Sequence, residues 1–126
     1  MELEVRTAER VDIVNITDRV AECVADSADA DTCTVFVPHT TAGVVVNENE
    51  HRLLTDLENA LSRLIPEADD YQHDRMDDNA DAHLRSALLG EHATIPVEDG
   101  ELQLGTWQSI LFVECDGPRT RRVVVC

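Results

Sequence analysis

The sequence predicts an α+β fold in one domain spanning residues 1–126, a mostly antiparallel β-sheet packed with two to three helices. Three observations carry this expectation. Stretches that alternate apolar and polar residues are mixed along the chain with stretches of helical period. Several β–β connections are too short to cross over between parallel strands. A chain of 126 residues also supplies one modest core rather than two.

Glu2 to Thr7 alternates, and Arg10 to Ile16 carries the β-branched residues of a second short strand. Thr17 is placed as the N-cap of a first helix, with Asp18 favourable to its dipole. Val20, Cys23 and Val24 supply an apolar stripe that runs to about Ser27, and Asp29 to Asp31 make the turn. In the strand from Thr32 to Pro38, Cys33, Val35 and Val37 point one way and Thr32, Thr34 and Phe36 the other. Pro38 ends its pairing. His39 to Gly43 reads as a small polar connection before a strand that begins at Val44. From about Asn49 to Ile65, Leu53, Leu54, Leu57, Leu61 and Leu64 share one helical face, and Pro66 stops the helix. Glu67 to Asp78 is loop by composition. Asp78 or Asn79 then caps a short helix with Leu84, Ala87 and Leu88 inward and Gly90 just past its end. His92 to Val97 and Leu102 to Leu104 pair across an Asp99-Gly100 hairpin signal. Thr106 to Glu114 and Arg119 to Cys126 read as a last hairpin across Cys115 to Pro118.

Charge narrows the function. Ten basic residues, all arginine, face 26 acidic ones, for a formal charge of −16. The apolar fraction of 43% is that of a globular chain rather than an acidic disordered one. Acidity of this degree disfavours nucleic acid and anionic lipid as partners, both of which call for clustered positive charge. Neither a membrane-spanning run nor a leader-like N-terminus is read, so a cytoplasmic location is expected. Arginine in place of lysine on an acidic surface fits a halophilic source, where concentrated salt screens self-repulsion. Cys23, Cys33, Cys115 and Cys126 stand singly and read as reduced packing residues.

Three polar constellations remain. His39-Thr40-Thr41-Ala42-Gly43 offers a metal or proton ligand beside a turn of amides able to cradle an anion; alternatively, its threonines satisfy their own backbone. His73 in the long acidic loop and His83 at the start of the third helix could join His39 in a three-ligand site. Such a site leaves a coordination position open, as catalytic zinc does; the alternative is a solvated loop and a surface histidine. Leu104-Gly105-Thr106-Trp107-Gln108 is followed by Glu114 and Asp116-Gly117-Pro118-Arg119. Trp107 reads as a core or subunit-contact residue. Arg119, Arg121 and Arg122 could hold a phosphate, pair with acids, or protect an edge strand. His51 and His92 read as surface or structural residues.

Pro38-His39-Thr40-Thr41-Ala42-Gly43, Asn47-Glu48-Asn49, Tyr71-Gln72-His73, Ala82-His83-Leu84, Leu88-Leu89-Gly90, Ile95-Pro96, Leu104 to Gln108, Asp116 to Arg119 and Arg121 occur in that order. In combination they resemble the YjbQ family, also called the secondary thiamine-phosphate synthase family, from Thr32 to Val125. The resemblance implies a homotrimer with sheets around a threefold axis and a histidine-rich cleft for a divalent metal, zinc first. His39, His73 and His83 match the recurrent histidines, and Asn47, Glu48, Asp56 and Gln108 the recurrent polar positions. Asp81 stands where many relatives carry another histidine, which makes it a candidate oxygen ligand. The implied activity joins a pyrimidine pyrophosphate to a thiazole phosphate with loss of pyrophosphate. Under it, His39, His73 and His83 bind metal. Glu48 or Asp56 orients a ligand or serves as acid/base, and Thr40, Thr41, Gly43, Asn47, Gln108 and Arg119 hold a small phosphorylated or anionic substrate. A non-catalytic trimeric module that binds a metabolite or metal is the second expectation.

Overall fold

The computed structural model describes residues 1–27 and 29–126. The strands are β1 (Glu2–Arg6), β2 (Asp12–Asn15), β3 (Thr32–Phe36), β4 (Ala42–Glu48), β5 (His92–Glu98), β6 (Glu101–Leu102), β7 (Gln108–Glu114) and β8 (Thr120–Val125). The helices are α1 (Thr17–Ala25), α2 (His51–Leu64) and α3 (Ala80–Leu89), with a 3-10 turn at Gln72–Arg75. The fold is α+β as expected. β1, β8, β3, β5 and β6 form one sheet in that order, and β2, β7 and β4 a second; every described pairing is antiparallel.

Alternation decides how the sheets meet. Val5, Val35, Val123 and Val125 of the first sheet and Val44, Ile110 and Phe112 of the second are buried in one shared core, closed at the side by Val20, Cys23 and Val24 of α1. Odd-numbered residues of the second sheet point the other way. There Val113 and Cys115 pack with Leu61 of α2 and Ala82 of α3. α2 starts where the Glu50 carboxylate accepts from the Leu53 amide at 2.7 Å. Of its leucine stripe, only Leu61 is buried; Leu53, Leu54 and Leu57 are half-buried and Leu64 is 69% exposed. Asp99 and Gly100 both take positive φ, the turn geometry their dipeptide signals. Cys23, Cys33 and Cys115 are buried free thiols, whereas Cys126 is exposed. No helix among the described residues is long and apolar enough to cross a membrane.

Four expectations are corrected. β7 and β8 are not a hairpin: β7 belongs to the three-stranded sheet and β8 to the five-stranded one, so the Cys115–Arg119 segment carries the chain from sheet to sheet. Thr17 is the first residue of α1 rather than its cap. Its hydroxyl donates to Asn15 Oδ1 and accepts from the Ile110 amide, tying α1 to β7. α3 is turned about its axis relative to the reading, with Leu84, Ala87 and Leu88 exposed and Asp81, Arg85 and Ser86 buried. Those polar groups are buried because each has a partner. Arg10 donates twice to Asp81 at 2.8 and 3.0 Å, Arg85 donates to the Ile65 carbonyl, and Ser86 donates to the Ala42 carbonyl at 2.6 Å. Of the two readings of Trp107, core or subunit contact, the first is overturned: it lies in the turn before β7, 74% exposed in the single chain.

Candidate functional site

The chain crosses between its sheets six times, and two of these crossings, the first from β3 to β4 and the second from β7 to β8, lie side by side. The Cys115 amide donates to the Thr41 carbonyl at 3.1 Å. A cleft of about 680 Å³ opens beside them. His39, Thr40 and Thr41 line it from the first crossing, Asp116, Arg119 and Arg121 from the second. Asn79 and His83 close it from the N-terminal end of α3, and Asp77 lines it from the loop that precedes the helix.

One buried ion pair sets the electrostatics of its floor. Glu114 is fully buried and Arg121 is 6% exposed. Arg121 Nε donates to Glu114 Oε1 at 2.8 Å and Nη2 to Oε2; the Thr7 hydroxyl and the Asp116 amide also donate to the carboxylate. Burial pushes the Glu114 carboxyl up, but these hydrogen bonds, led by Arg121, outweigh it and hold the group below its ordinary value. Nη2 also donates to Thr41 Oγ1 at 2.7 Å, so the threonine hydroxyl keeps its own proton for another acceptor. Arg119 is fixed more loosely: its Nε donates to the Asp116 carbonyl, its Nη2 to Asp116 Oδ2 at 3.0 Å, and its side chain is 52% exposed.

The histidines are arranged for hydrogen bonding. His39 Nε2 lies 3.0 Å from the Arg122 amide nitrogen and 3.1 Å from the Arg122 carbonyl oxygen, so it accepts from the amide in one neutral tautomer and donates to the carbonyl in the other. Burial and then the Arg121 charge push the His39 pKa below its ordinary value, which keeps the ring neutral near pH 7. His83 reaches the cleft, but His73 lies behind it, its ring edge-on at 4.6 Å between centroids, in a separate hollow with Tyr71 and Gln72. His73 Nε2 is buried and has no hydrogen-bond partner among the described residues. Among those residues no three His, Cys, Asp or Glu side chains are grouped to hold a metal. With His39 Nε2 engaged and His73 set back, His39, His73 and His83 do not fit a three-histidine zinc centre within one chain. Asp81 does not serve as a substitute ligand. It is fully buried against Arg10, whose hydrogen bonds outweigh the upward push of burial and hold the carboxyl below its ordinary value.

The other candidates lie elsewhere. Gly43 sits in β4 rather than in a turn of free amides. A side chain there would stand 2.8 Å from the Gly90 carbonyl oxygen, so its smallness serves the packing of α3 on β4. Asn47, Glu48 and Gln108 are at the far end of the second sheet, where Glu48 pairs with Gln108, about 20 Å along β4 from Thr41. Gln108 Oε1 there accepts from the Gly105 amide at 2.7 Å. Asp56 is exposed on α2. Of the predicted residues, the structure therefore brings together His39, Thr40, Thr41, His83 and Arg119, and leaves His73, Asn47, Glu48, Asp56 and Gln108 outside the cleft. Asn79, Asp116 and the Glu114–Arg121 pair were not predicted in it. A signal for the pair exists: Arg121 takes an inward position of β8, which otherwise alternates, and Glu114 ends the continuous apolar run of β7, so each needs a buried partner.

The sequence profile described as UPF0047 protein YjbQ-like matches residues 1–126, the whole chain. The chain belongs to the YjbQ-like UPF0047 family. A UPF0047 protein of Archaeoglobus fulgidus is 54% identical over 99% of this chain and 98% of its own. The UPF0047 protein YugU of Bacillus subtilis is 35% identical over 94% of this chain and 91% of its own. Among solved structures, a YbjQ-like protein of unknown function from Sulfolobus solfataricus superposes with a TM-score of 0.96 at 38% identity, covering 99% of this chain and 92% of that one. A hypothetical protein of Aeropyrum pernix gives 0.96 at 40% identity, over 100% and 95%. The YjbQ-like fold is thus shared end to end.

Proposed function

We propose that this YjbQ-like protein binds a small phosphorylated or otherwise anionic metabolite in the cleft between the sheet crossings and α3, and acts on it as a cytoplasmic enzyme. The observation that carries this reading is that, in a chain of net charge −16, the donors of the cleft outnumber its two carboxylates, Asp77 and Asp116: His39, the hydroxyls of Thr40 and Thr41, His83, and the guanidinium groups of Arg119 and Arg121 converge there, and Asp116 is itself paired with Arg119. In an acidic protein such a concentration of donors suits a ligand that offers only acceptors. Thiamine phosphate formation is the activity to assay, because its leaving group is pyrophosphate and Arg119 and Arg121 would neutralise the charge that develops on it.

The test is pyrophosphate release from the pyrimidine pyrophosphate and thiazole phosphate, with Arg119→Gln and His83→Ala alongside. Turnover that drops at least tenfold in both folded variants supports the reading. Turnover unchanged in both overturns the placement of the site. The second reading, a non-catalytic binding module, is favoured by one observation: Glu48 and Asp56, the carboxylates expected to act as acid or base, lie outside the cleft. Stoichiometric retention of a phosphorylated ligand without turnover would select it.

A homotrimer and a divalent metal, zinc first, complete the proposal. The trimer is supported by the unfinished apolar face of α2, ending in exposed Leu64, and by exposed Leu88 and Trp107, which a second copy would cover. Light scattering gives the chain number, and metal content per chain in wild type and His83→Ala decides the metal. No step above depends on it.

A further inference from the structure

The buried pair on the cleft floor is more than structural. A buried ion pair is often no more stable than apolar residues of similar volume, so a fold gains little by keeping one for packing alone. What Glu114 and Arg121 add is an oriented cation. Of the five N–H groups of Arg121, Nε is spent on Glu114, and the two at Nη2 on Glu114 and Thr41. The two at Nη1 have no acceptor among the described residues, and Arg121 lines the cleft. Beside them is the Thr41 hydroxyl, one of its lone pairs occupied by Nη2 and its proton unspent among the described residues.

We propose that Arg121 is the fixed phosphate anchor of the cleft, presenting Nη1 and, with it, the Thr41 hydroxyl to the oxygens of one phosphoryl group, while Glu114 acts as the positioning residue that holds the guanidinium. The proposal rests on the reading of the cleft as an anion site and names its recognition element. Arg121 differs from Arg119 in cost. Its side chain is already immobile, so no rotamer freedom is lost when the ligand arrives, whereas the half-exposed Arg119 must be ordered. The Nε/Nη2 edge is closed by Glu114, so the ligand is met end-on at Nη1 rather than by the usual two-pronged grip. A tetrahedral group with several oxygens can bridge Nη1, Thr41 and His39 together, which a planar carboxylate cannot do as well.

The experiment titrates full-length protein in molar salt with inorganic phosphate and, in parallel, acetate, by calorimetry. Phosphate binding tighter than acetate is expected, and the reverse order would overturn the phosphoryl assignment. The double variant Arg121→Gln/Glu114→Gln removes the anchor without stranding a buried charge, and should weaken phosphate binding tenfold or more while Arg119→Gln weakens it less. Thr41→Val strands no charge and should weaken it severalfold, which decides the matter if the double variant does not fold. Phosphate binding retained at wild-type strength in either folded variant would overturn the role of Arg121 and leave the anion site standing. A wild type that binds no phosphate would overturn both.

Discussion

Replacing Glu114 with Gln isolates the group on which the cleft is built. The carboxylate is fully buried and holds a guanidinium that is itself 6% exposed. In Glu114→Gln, one oxygen becomes an NH₂ that meets the N–H groups of Arg121 donor to donor, and the arginine charge loses its counter-ion. Breaking a buried pair in this way costs about 3–5 kcal/mol. For a chain of this length that corresponds to a fall in Tm of roughly 10–20 °C. The pH dependence has a defined sign. The folded Glu114 pKa lies below the unfolded one, so its contribution is fully present above the unfolded value and is lost as pH falls through the folded value. Wild type therefore loses stability in acid, and the variant loses less there. Thermal unfolding followed by far-UV circular dichroism, at fixed chain concentration and molar salt, measures both. The double variant Glu114→Gln/Arg121→Gln should be more stable than the sum of the single changes allows. A single variant that melts within a few degrees of wild type, or strict additivity in the cycle, would refute the argument.

Gly43→Ala should destabilise by about 1–3 kcal/mol, because the new methyl meets the Gly90 carbonyl oxygen at 2.8 Å and Leu89 Cβ at 2.9 Å, neither at the end of a flexible side chain. Chemical denaturation checks it, and an unchanged midpoint would show that α3 yields freely. Dilution from molar salt to low ionic strength should lower the Tm, since −16 per chain is then screened over about 10 Å or more rather than about 3 Å. A Tm that does not depend on salt would remove the halophilic reading.

Local chemistry made much of the fold legible. Cys33, Val35 and Val37 are buried as their alternation requires, and Pro66 follows α2 as a helix stop. The Asp99-Gly100 turn joins β5 to β6. The site was legible in part. His39, Thr40, Thr41, His83 and Arg119 do share a cleft, yet a resemblance that places Glu48 and Gln108 among the functional positions cannot say that they lie about 20 Å along β4 from it.

Period, turn residues and charge are properties of neighbours in sequence, and so the sequence by itself determined the element types, most of their bounds and the acidic surface. Which sheet a strand joins is not such a property, since the apolar pattern of β7 and of β8 is the same whether they pair with each other or with β4 and β1. The same holds for α3. Leu84 and Leu88 look like its inward face until Arg10, some 70 residues earlier, supplies the charge that lets Asp81 be buried in their stead. Glu114 and Arg121 likewise become a site only when the second crossing sets them against Thr41, 80 residues from Arg121. Tertiary structure decided these points because the free energy of a buried polar group depends on its partner, and the partners came from distant parts of the chain.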